Sequence, residues 1–192
     1  MAFVADILGS ALWMFFAILH LRSALESDYP CSSYALFGFY GLVAMLMLVR
    51  RPARHVASMP TQLIGWLSAA LPMAGLRASA GGQGAPAFLL QGVGAVGLIL
   101  AVLSLGKSFG IAPADRGLCT GGMYRFVRHP LYASELIFNL GYVWGNPSWR
   151  NAIVVLLMLG SQIVRIHYEE RILEGYSAYA GRVRWRLVPG LW

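Results

Sequence analysis

The chain has 192 residues, of which 58% are hydrophobic and only 12% carry a formal charge. Its mean hydropathy is +0.61, well above the level of a soluble globular domain. This composition excludes a soluble domain and predicts a single integral membrane domain over residues 1–192, with most of its surface solvated by lipid.

Apolar runs follow one another along the chain, and a spanning helix needs about 17 to 25 residues once its interfacial ends are counted. Four runs come first, at residues 3–21, 34–49, 61–76 and 86–105. A polar stretch at 107–129 separates them from a shorter run at 131–144 and a longer one at 151–167. Gly145 and Pro147 interrupt the chain between these two, which predicts a helical hairpin with a short first arm. The predicted fold is therefore all-α, a polytopic helical membrane bundle with five to six transmembrane segments.

The basic residues predict the orientation of this bundle. If the N-terminus is cytoplasmic, the inner loops hold the arginines and lysine of residues 50–54, 107–128 and 165–186, and only Arg22, Arg77 and Arg150 lie outside. This asymmetry follows the positive-inside rule and places both termini in the cytoplasm, with a bacterial inner membrane as the expected location. The net charge of +7 is then a topology signal, and it requires no nucleic-acid partner.

The same orientation bears on the cysteines and on one loop. Cys31 and Cys119 fall on opposite sides of the membrane, which argues against a disulfide between them. The Gly- and Ala-rich residues 78–85 are expected to form a flexible outer loop.

The end of the polar stretch has the elements of an anion-binding site. Pro130 suits the first position of a helix, which places His129 near the N-cap. The backbone N–H groups of Leu131 and Tyr132 then have no partner inside the helix and point toward the loop. Together with the Arg128 guanidinium they predict a site for a carboxylate or phosphate. The alternative is that the basic residues here only set the topology and contact lipid headgroups.

Two adjacent carboxylates, Glu169 and Glu170, follow the last apolar run. Negative charge at a helix C-terminus opposes the helix dipole and is disfavoured by up to about 1 kcal/mol, so a compensating cation is expected nearby. Arg165, one turn earlier, offers the simplest structural explanation. The polar seam of Gln162, Arg165 and Glu169 running into the bundle favours a functional site instead.

Several glycines lie in and after the fourth apolar run, at Gly92, Gly94, Gly97 and Gly106. Small residues allow helices to pack closely in membranes. The alternative is that the space left by the missing side chains admits part of a bound cofactor.

The ordered motifs of residues 98–192 resemble a known family. They are RHPLY at 128–132, Asn146-Pro147, Glu169-Glu170, and the closing Tyr176, Tyr179, Val183 and Pro189. This set looks like the C-terminal region of the isoprenylcysteine carboxyl methyltransferase family, membrane enzymes that use S-adenosylmethionine. The segment LGKSFGI at 105–111 is also similar to one in phosphatidylethanolamine N-methyltransferases. In one departure, Ser134 stands where the family commonly has glycine.

The resemblance implies a cytoplasmic cofactor site for S-adenosylmethionine and no metal. The implied cofactor-binding residues are Gly106, Tyr124, Arg128, His129, Pro130, Tyr132, Glu169 and Glu170, with Arg128, Glu169 and Glu170 as the catalytic set. Arg128, His129 and Tyr132 would engage the methionyl part of the cofactor. The two glutamates would face its amino group and sulfonium charge, which would offset the burial of both partners.

The implied function is methyl transfer to a lipophilic acceptor that enters laterally from the membrane lipid, with no obligatory protein partner. A carboxylate acceptor is already a nucleophile, whereas an amine must lose a proton and needs a base. Glu135 is either such a base or a pairing partner for an arginine at headgroup level. Two other functions remain open: an NADPH-dependent reductase of lipid double bonds, because sterol reductases end in a pattern similar to YAGRVRWRLVP at 179–189, and a non-enzymatic membrane scaffold.

The last residues, 176–192, alternate aromatic and basic side chains. This composition is too aromatic for a disordered tail and predicts a cap over the cofactor site. The alternative is an interfacial segment anchored to anionic headgroups.

Overall fold

The computed structural model describes residues 2–26, 31–78 and 83–192. In chain order it contains α1 (Ala2–Glu26), α2 (Cys31–Val49), β1 (His55–Val56), α3 (Met59–Gly75), α4 (Ala85–Leu105), β2 (Ala114–Asp115), α5 (Pro130–Gly145), α6 (Trp149–Ile172) and α7 (Tyr176–Arg182). Short 3-10 turns follow α4 at Gly106–Ser108 and precede α5 at Gly122–Arg125. Because the strands have only two residues each, the fold is all-α as the sequence predicts.

The described helices form an integral membrane bundle. Three are long and apolar enough to cross a bilayer by length and composition, at Ala5–Glu26, Ala85–Ser108 and Trp149–Ile172, and a shorter apolar helix lies at Ser33–Val49. Helices α3 and α5 have 17 and 16 residues, about 24–26 Å at 1.5 Å per residue, which is less than the ~30 Å hydrocarbon core. Leucines such as Leu89 and Leu156 are 71% and 66% exposed, as a lipid-facing surface requires.

The predicted apolar runs coincide with α1 to α6 within a few residues. The largest differences are at the ends of α1 and α6, which each continue five residues past the predicted run, to Glu26 and Ile172. Helix α6 therefore includes both glutamates in its last turn. Helix α7 carries no apolar run that predicts it. Part of the expected loop at 78–85, residues 79–82, and the side chain of Cys31 lie outside the described residues, while Cys119 is a free thiol.

The inner and outer loops of the charge-based topology lie at opposite ends of the bundle. At one end, here called the site end, β1 pairs antiparallel with β2, and the Arg51 N–H donates to Lys107 O at 2.8 Å. At the other end, Asn151 bonds both the backbone N–H and the carbonyl of Arg77, at 3.0 and 2.9 Å, and Arg150 Nε donates to Gly75 O at 3.1 Å. The loops therefore group as the basic residues predict.

Helices α4 and α5 pack with their backbones in close contact. A Cβ on Gly94 would lie 2.5 Å from the backbone nitrogen of Phe138, and one on Gly97 would meet the side chain of Ser134, whereas nothing lies within 4 Å of Gly92. Close packing therefore explains Gly94 and Gly97. Ser134 occupies the space that Gly97 leaves, which shows how the serine is accommodated at this position.

Candidate functional site

The start of α5 and the end of α6 meet at the site end because the hairpin runs antiparallel. His129 is the N-cap of α5, and its carbonyl accepts the first helical bond from Ala133 N at 3.1 Å. The amides of Leu131 and Tyr132 therefore have no partner inside the helix. Tyr132, one turn into α5, donates its hydroxyl to Glu169 Oε1 on α6.

Glu170 is held by several donors. Arg186 contacts it with two nitrogens, Nε at 2.8 Å from Oε1 and Nη2 at 2.9 Å from Oε2. The Tyr176 hydroxyl donates to Oε1 at 2.7 Å, and Arg128 Nη1 and His129 Nε2 each lie 3.4 Å from the same oxygen. Because both oxygens are already paired, Glu170 joins α6 to the C-terminal residues.

Glu169 faces the other way and has fewer partners. Besides Tyr132, its neighbours are His129 Nδ1, 3.8 Å from Oε2, and Arg165 Nη2, 3.9 Å from Oε1. The predicted Arg165–Glu169 helix pair therefore exists at a long distance. Arg165 is 4% exposed, donates from Nη2 to Ile111 O at 2.5 Å, and places its guanidinium 4.8 Å from the Tyr132 ring centroid.

The residues 176–192, here called the C-terminal strap, cover this cluster. Backbone N–H groups of Arg128 and His129 donate to the carbonyls of Trp185 and Arg186 at 2.8 and 2.9 Å. Arg128 Nη2 also donates to Arg184 O at 3.2 Å. The strap is therefore folded against the site, which confirms that it is not a disordered tail.

Phenol groups of the site stay protonated because they are buried. Burial raises the pKa of Tyr179 to about 12, with Cys119 adding to the shift, and its hydroxyl donates to Tyr124 O at 2.5 Å. Burial and then the hydrogen bond to Glu170 raise the pKa of Tyr176. The bond to Glu170 also raises the pKa of Arg186, so both groups remain donors to that carboxylate at neutral pH.

A cavity of about 80 Å³, here called the polar cavity because Arg116, Arg128, His129 and Glu169 line it, lies beneath the strap. Five of the predicted cofactor residues line it: Tyr124, Arg128, His129, Tyr132 and Glu169. The other three do not: Gly106 ends α4, Pro130 opens α5, and Glu170 bonds the strap. Arg128 Nε is buried without a hydrogen-bond partner among the described residues. An orphaned guanidinium nitrogen beside a cavity is expected where an anionic ligand group binds.

A second, larger cavity of about 670 Å³ lies inside the bundle. Its wall is mainly apolar, and Glu135 and Arg165 are its charged residues among those described. Leu131 and Tyr132 line both cavities. Sequence reasoning identified Tyr132 but missed the contribution of α1 and α2, which carry no diagnostic motif.

Comparison with known proteins assigns the family. Residues 85–178 match the family model of phospholipid methyltransferases. Over these residues, about half of the chain, the protein belongs to that family. No curated protein and no solved structure matches the chain. The matched part includes every predicted site residue from Gly106 to Glu170, and it makes the protein a membrane methyltransferase.

The matched part ends within α7, so Arg186 lies beyond it. The alternating basic and aromatic residues of the strap are the signal that points to Arg186, although they do not identify Glu170 as its partner. Among the described residues, no group of three or more His, Cys, Asp or Glu side chains is arranged as a metal site. That the site uses no metal ion stays a prediction.

Proposed function

We propose that the protein transfers a methyl group from S-adenosylmethionine to a lipophilic acceptor held in the membrane. The observation that carries this proposal is the pair of cavities that meet at Tyr132. One lies beneath the strap and is lined by Arg128, His129 and Glu169, and the other lies among the helices and is lined mainly by apolar side chains. A reaction between a charged, water-borne donor and a lipid needs two such compartments joined at one wall.

The residues of the polar cavity fit the ends of S-adenosylmethionine. Arg128 Nε and the free amides at the start of α5 suit its carboxylate. Glu169, which has one close hydrogen bond within the described part of the chain, suits its amino group and sulfonium charge. When bound, the cofactor supplies an electrophilic methyl group. A cavity of about 80 Å³ has room for only a few water molecules, so the strap must move for a nucleoside cofactor to enter.

The residues of this chain contribute positioning and exclusion of water. Holding donor and acceptor in near-attack geometry contributes roughly 7 to 11 kcal/mol in favourable cases. Tyr132 is 5% exposed and stacks on His129 with ring centroids 5.7 Å apart, so its ring is held in place where the two cavities meet. The likeness to isoprenylcysteine carboxyl methyltransferases favours a lipid-anchored acceptor that enters from the side.

We propose that the site end lies at the cytoplasmic face of a bacterial inner membrane, and the grouping of the basic loops supports the cytoplasmic side. The basic loops at residues 50–54 and 107–128 meet where β1 pairs with β2, so a single orientation of the bundle puts both loops on the same side of the membrane. Donor and acceptor then reach the site from different phases, the donor from the cytoplasm and the acceptor from lipid.

Calorimetry on detergent-purified protein tests the proposal. S-Adenosylmethionine should bind the wild type, and NADPH should not. Arg128→Ala and Glu169→Gln each remove a charged contact that contributes about 1.5–3 kcal/mol, so binding should weaken roughly 10- to 150-fold.

Arg125→Ala and Glu174→Gln are the matched controls, because Arg125 is exposed and Glu174 forms a surface pair with Arg54. Both controls should bind as the wild type does. Size-exclusion profiles show whether the variants remain folded. If Arg128→Ala does not fold, Arg128→Lys takes its place in the experiment. NADPH binding in place of S-adenosylmethionine would support a reductase, and no binding of either would support a scaffold. Unchanged affinity in folded Arg128 and Glu169 variants would refute the site.

A further inference from the structure

The polar cavity and the cavity of about 670 Å³, here called the large cavity, share part of their walls. Among the described residues, Gly110, Leu131 and Tyr132 line both. Leu131 and Tyr132 belong to the first turn of α5, and Gly110 lies between the 3-10 turn at Gly106–Ser108 and β2. Two large side chains and one position without a side chain therefore surround the place where the cavities meet.

Neither backbone conformation nor helix packing explains why residue 110 is a glycine. Gly106 has a φ of 51°, in the left-handed region that favours glycine. Gly110 is not among the glycines of positive φ, so its backbone is open to other residue types. The nearest neighbours of a Cβ on Gly110 would be Arg116 Nε at 3.1 Å and Ala112 O at 3.4 Å. Both atoms belong to its own loop, so the glycine does not serve the approach of two helices.

Arg116 marks the direction in which a side chain at position 110 would point. Arg116 lines the polar cavity, and its Nε is buried without a hydrogen-bond partner among the described residues. Its Nη1 donates to Arg51 O at 2.6 Å, which limits how far the guanidinium can move aside. Gly110→Ala needs a shift of a few tenths of an ångström. The larger side chain of Gly110→Val would extend into the space where the cavities meet.

A reaction between ligands of the two cavities requires an open path at this place. Near-attack geometry holds the reacting atoms about 3–3.5 Å apart, so no protein atom can lie between them. A lone pair of the acceptor forms the bond to the methyl carbon while the carbon–sulfur bond breaks, and the electrons of that bond stay on sulfur. The positive charge of the donor thereby passes to the methylated acceptor. Donor and acceptor therefore have to meet where the two cavities share their walls.

We propose that Gly110 keeps open a passage through which the methyl group crosses from the polar cavity to the large cavity, with Leu131 and Tyr132 as its other sides. The inference rests on the proposed function. Gly110 is then a positioning residue, because it contributes no atom to the chemistry and leaves space for the reacting atoms. The passage determines where the two reactants meet and leaves the chemical class of the acceptor open.

Two analogues of S-adenosylmethionine test the passage by calorimetry on detergent-purified protein. In both, a nitrogen atom replaces the sulfur, so that no methyl group is transferred, and this nitrogen carries either a methyl group or a hexyl chain. The hexyl chain can reach the large cavity only through the passage. Because burial of apolar carbon strengthens binding, the wild type should bind the hexyl analogue more tightly than the methyl analogue, by about tenfold or more.

Variants that narrow the passage should remove this difference between the analogues. Gly110→Val should lose it, and Gly110→Ala should keep part of it. Gly121→Val is the matched control, because Gly121 is exposed and a Cβ there would meet nothing within 4 Å, and it should keep the whole difference.

Arg116→Ala distinguishes a blocked passage from a displaced guanidinium. This variant should keep the difference between the analogues, because it leaves the passage open. If it loses the difference as Gly110→Val does, the valine acts through Arg116 and the inference is overturned. Binding of the methyl analogue reports that each variant is folded. If Gly110→Val does not fold, Leu131→Phe, which enlarges another side of the passage, takes its place and should also lose the difference.

The remaining outcomes separate this inference from the proposed function. A wild type that binds the hexyl analogue no more tightly than the methyl analogue would contradict the passage and leave the methyltransferase intact. The full difference in folded Gly110→Val would do the same. A wild type that binds neither the analogues nor S-adenosylmethionine would contradict the proposed function, and the passage with it.

Discussion

The adjacent residues Glu169 and Glu170 make different contacts, because side chains of successive helical residues point about 100° apart. Glu169 points to the polar cavity and receives the Tyr132 hydroxyl, while Glu170 points to the strap and receives Arg186. The sequence suggests one carboxylate pair with a shared role. Side-chain direction separates that pair into one group that lines the cavity and one that holds the strap.

The Tyr132–Glu169 hydrogen bond should contribute measurably to stability. Tyr132→Phe keeps the ring that divides the cavities and leaves Glu169 Oε1 without its donor, which costs about 1.5–3 kcal/mol for a bond to a charged group. The midpoint of thermal unfolding in detergent should fall by several degrees. Tyr168→Phe is the matched control, because Tyr168 lies on α6 with 42% exposure, and its midpoint should not change. Equal midpoints for the two variants would show that the bond contributes little.

At the scale of elements, α5 is positioned by its contact with α4. Missing side chains at Gly94 and Gly97 let the two backbones approach, and this approach places Tyr132 and Glu135 against the large cavity. The boundaries of both helices follow from their apolar runs, but the face that each presents depends on the partner helix.

Gly92 and Gly94 lie two residues apart on α4 and point to different sides of the helix, so they allow a controlled comparison of this packing. In Gly94→Ala the new Cβ would meet the Phe138 backbone at 2.5 Å, and overpacking of this kind costs typically 1–3 kcal/mol. In Gly92→Ala the Cβ would meet nothing within 4 Å, so stability should be unchanged or slightly higher through helix propensity. Thermal unfolding of both variants measures the difference. A Gly92 variant as unstable as the Gly94 variant would mean that helix packing is not the cause.

At the scale of the whole molecule, the strap closes the polar cavity over the hairpin. Its contacts run from the Arg128 and His129 amides to Arg186 and Glu170. The cavity beneath is smaller than a nucleoside cofactor, so binding requires the strap to open and close again.

The strap should therefore respond to the cofactor. Hydrogen exchange in residues 176–192 should slow when S-adenosylmethionine is added, because binding stabilises the closed state. Arg186→Ala removes the two-point contact with Glu170 and should speed exchange and weaken cofactor binding. Arg184→Ala, in the same segment with an exposed side chain, should do neither. If the exchange rate does not change when S-adenosylmethionine is added, and Arg186→Ala binds the cofactor as tightly as the wild type, the strap would serve only as a membrane anchor.

The sequence by itself determined the membrane class, the positions of the six apolar helices and the grouping of the loops. These features depend on hydropathy and charge, which act residue by residue along the chain. It also predicted a site with Arg128, His129, Tyr132 and Glu169, and the structure brings these four residues to one cavity. Only the tertiary structure decided the rest: that Glu170 pairs with Arg186, that Tyr132 lines two cavities, and that aromatic residues of α1 and α2 line the larger one. Each of these depends on contacts between residues far apart in the chain, and helix packing alone determines which distant side chains meet.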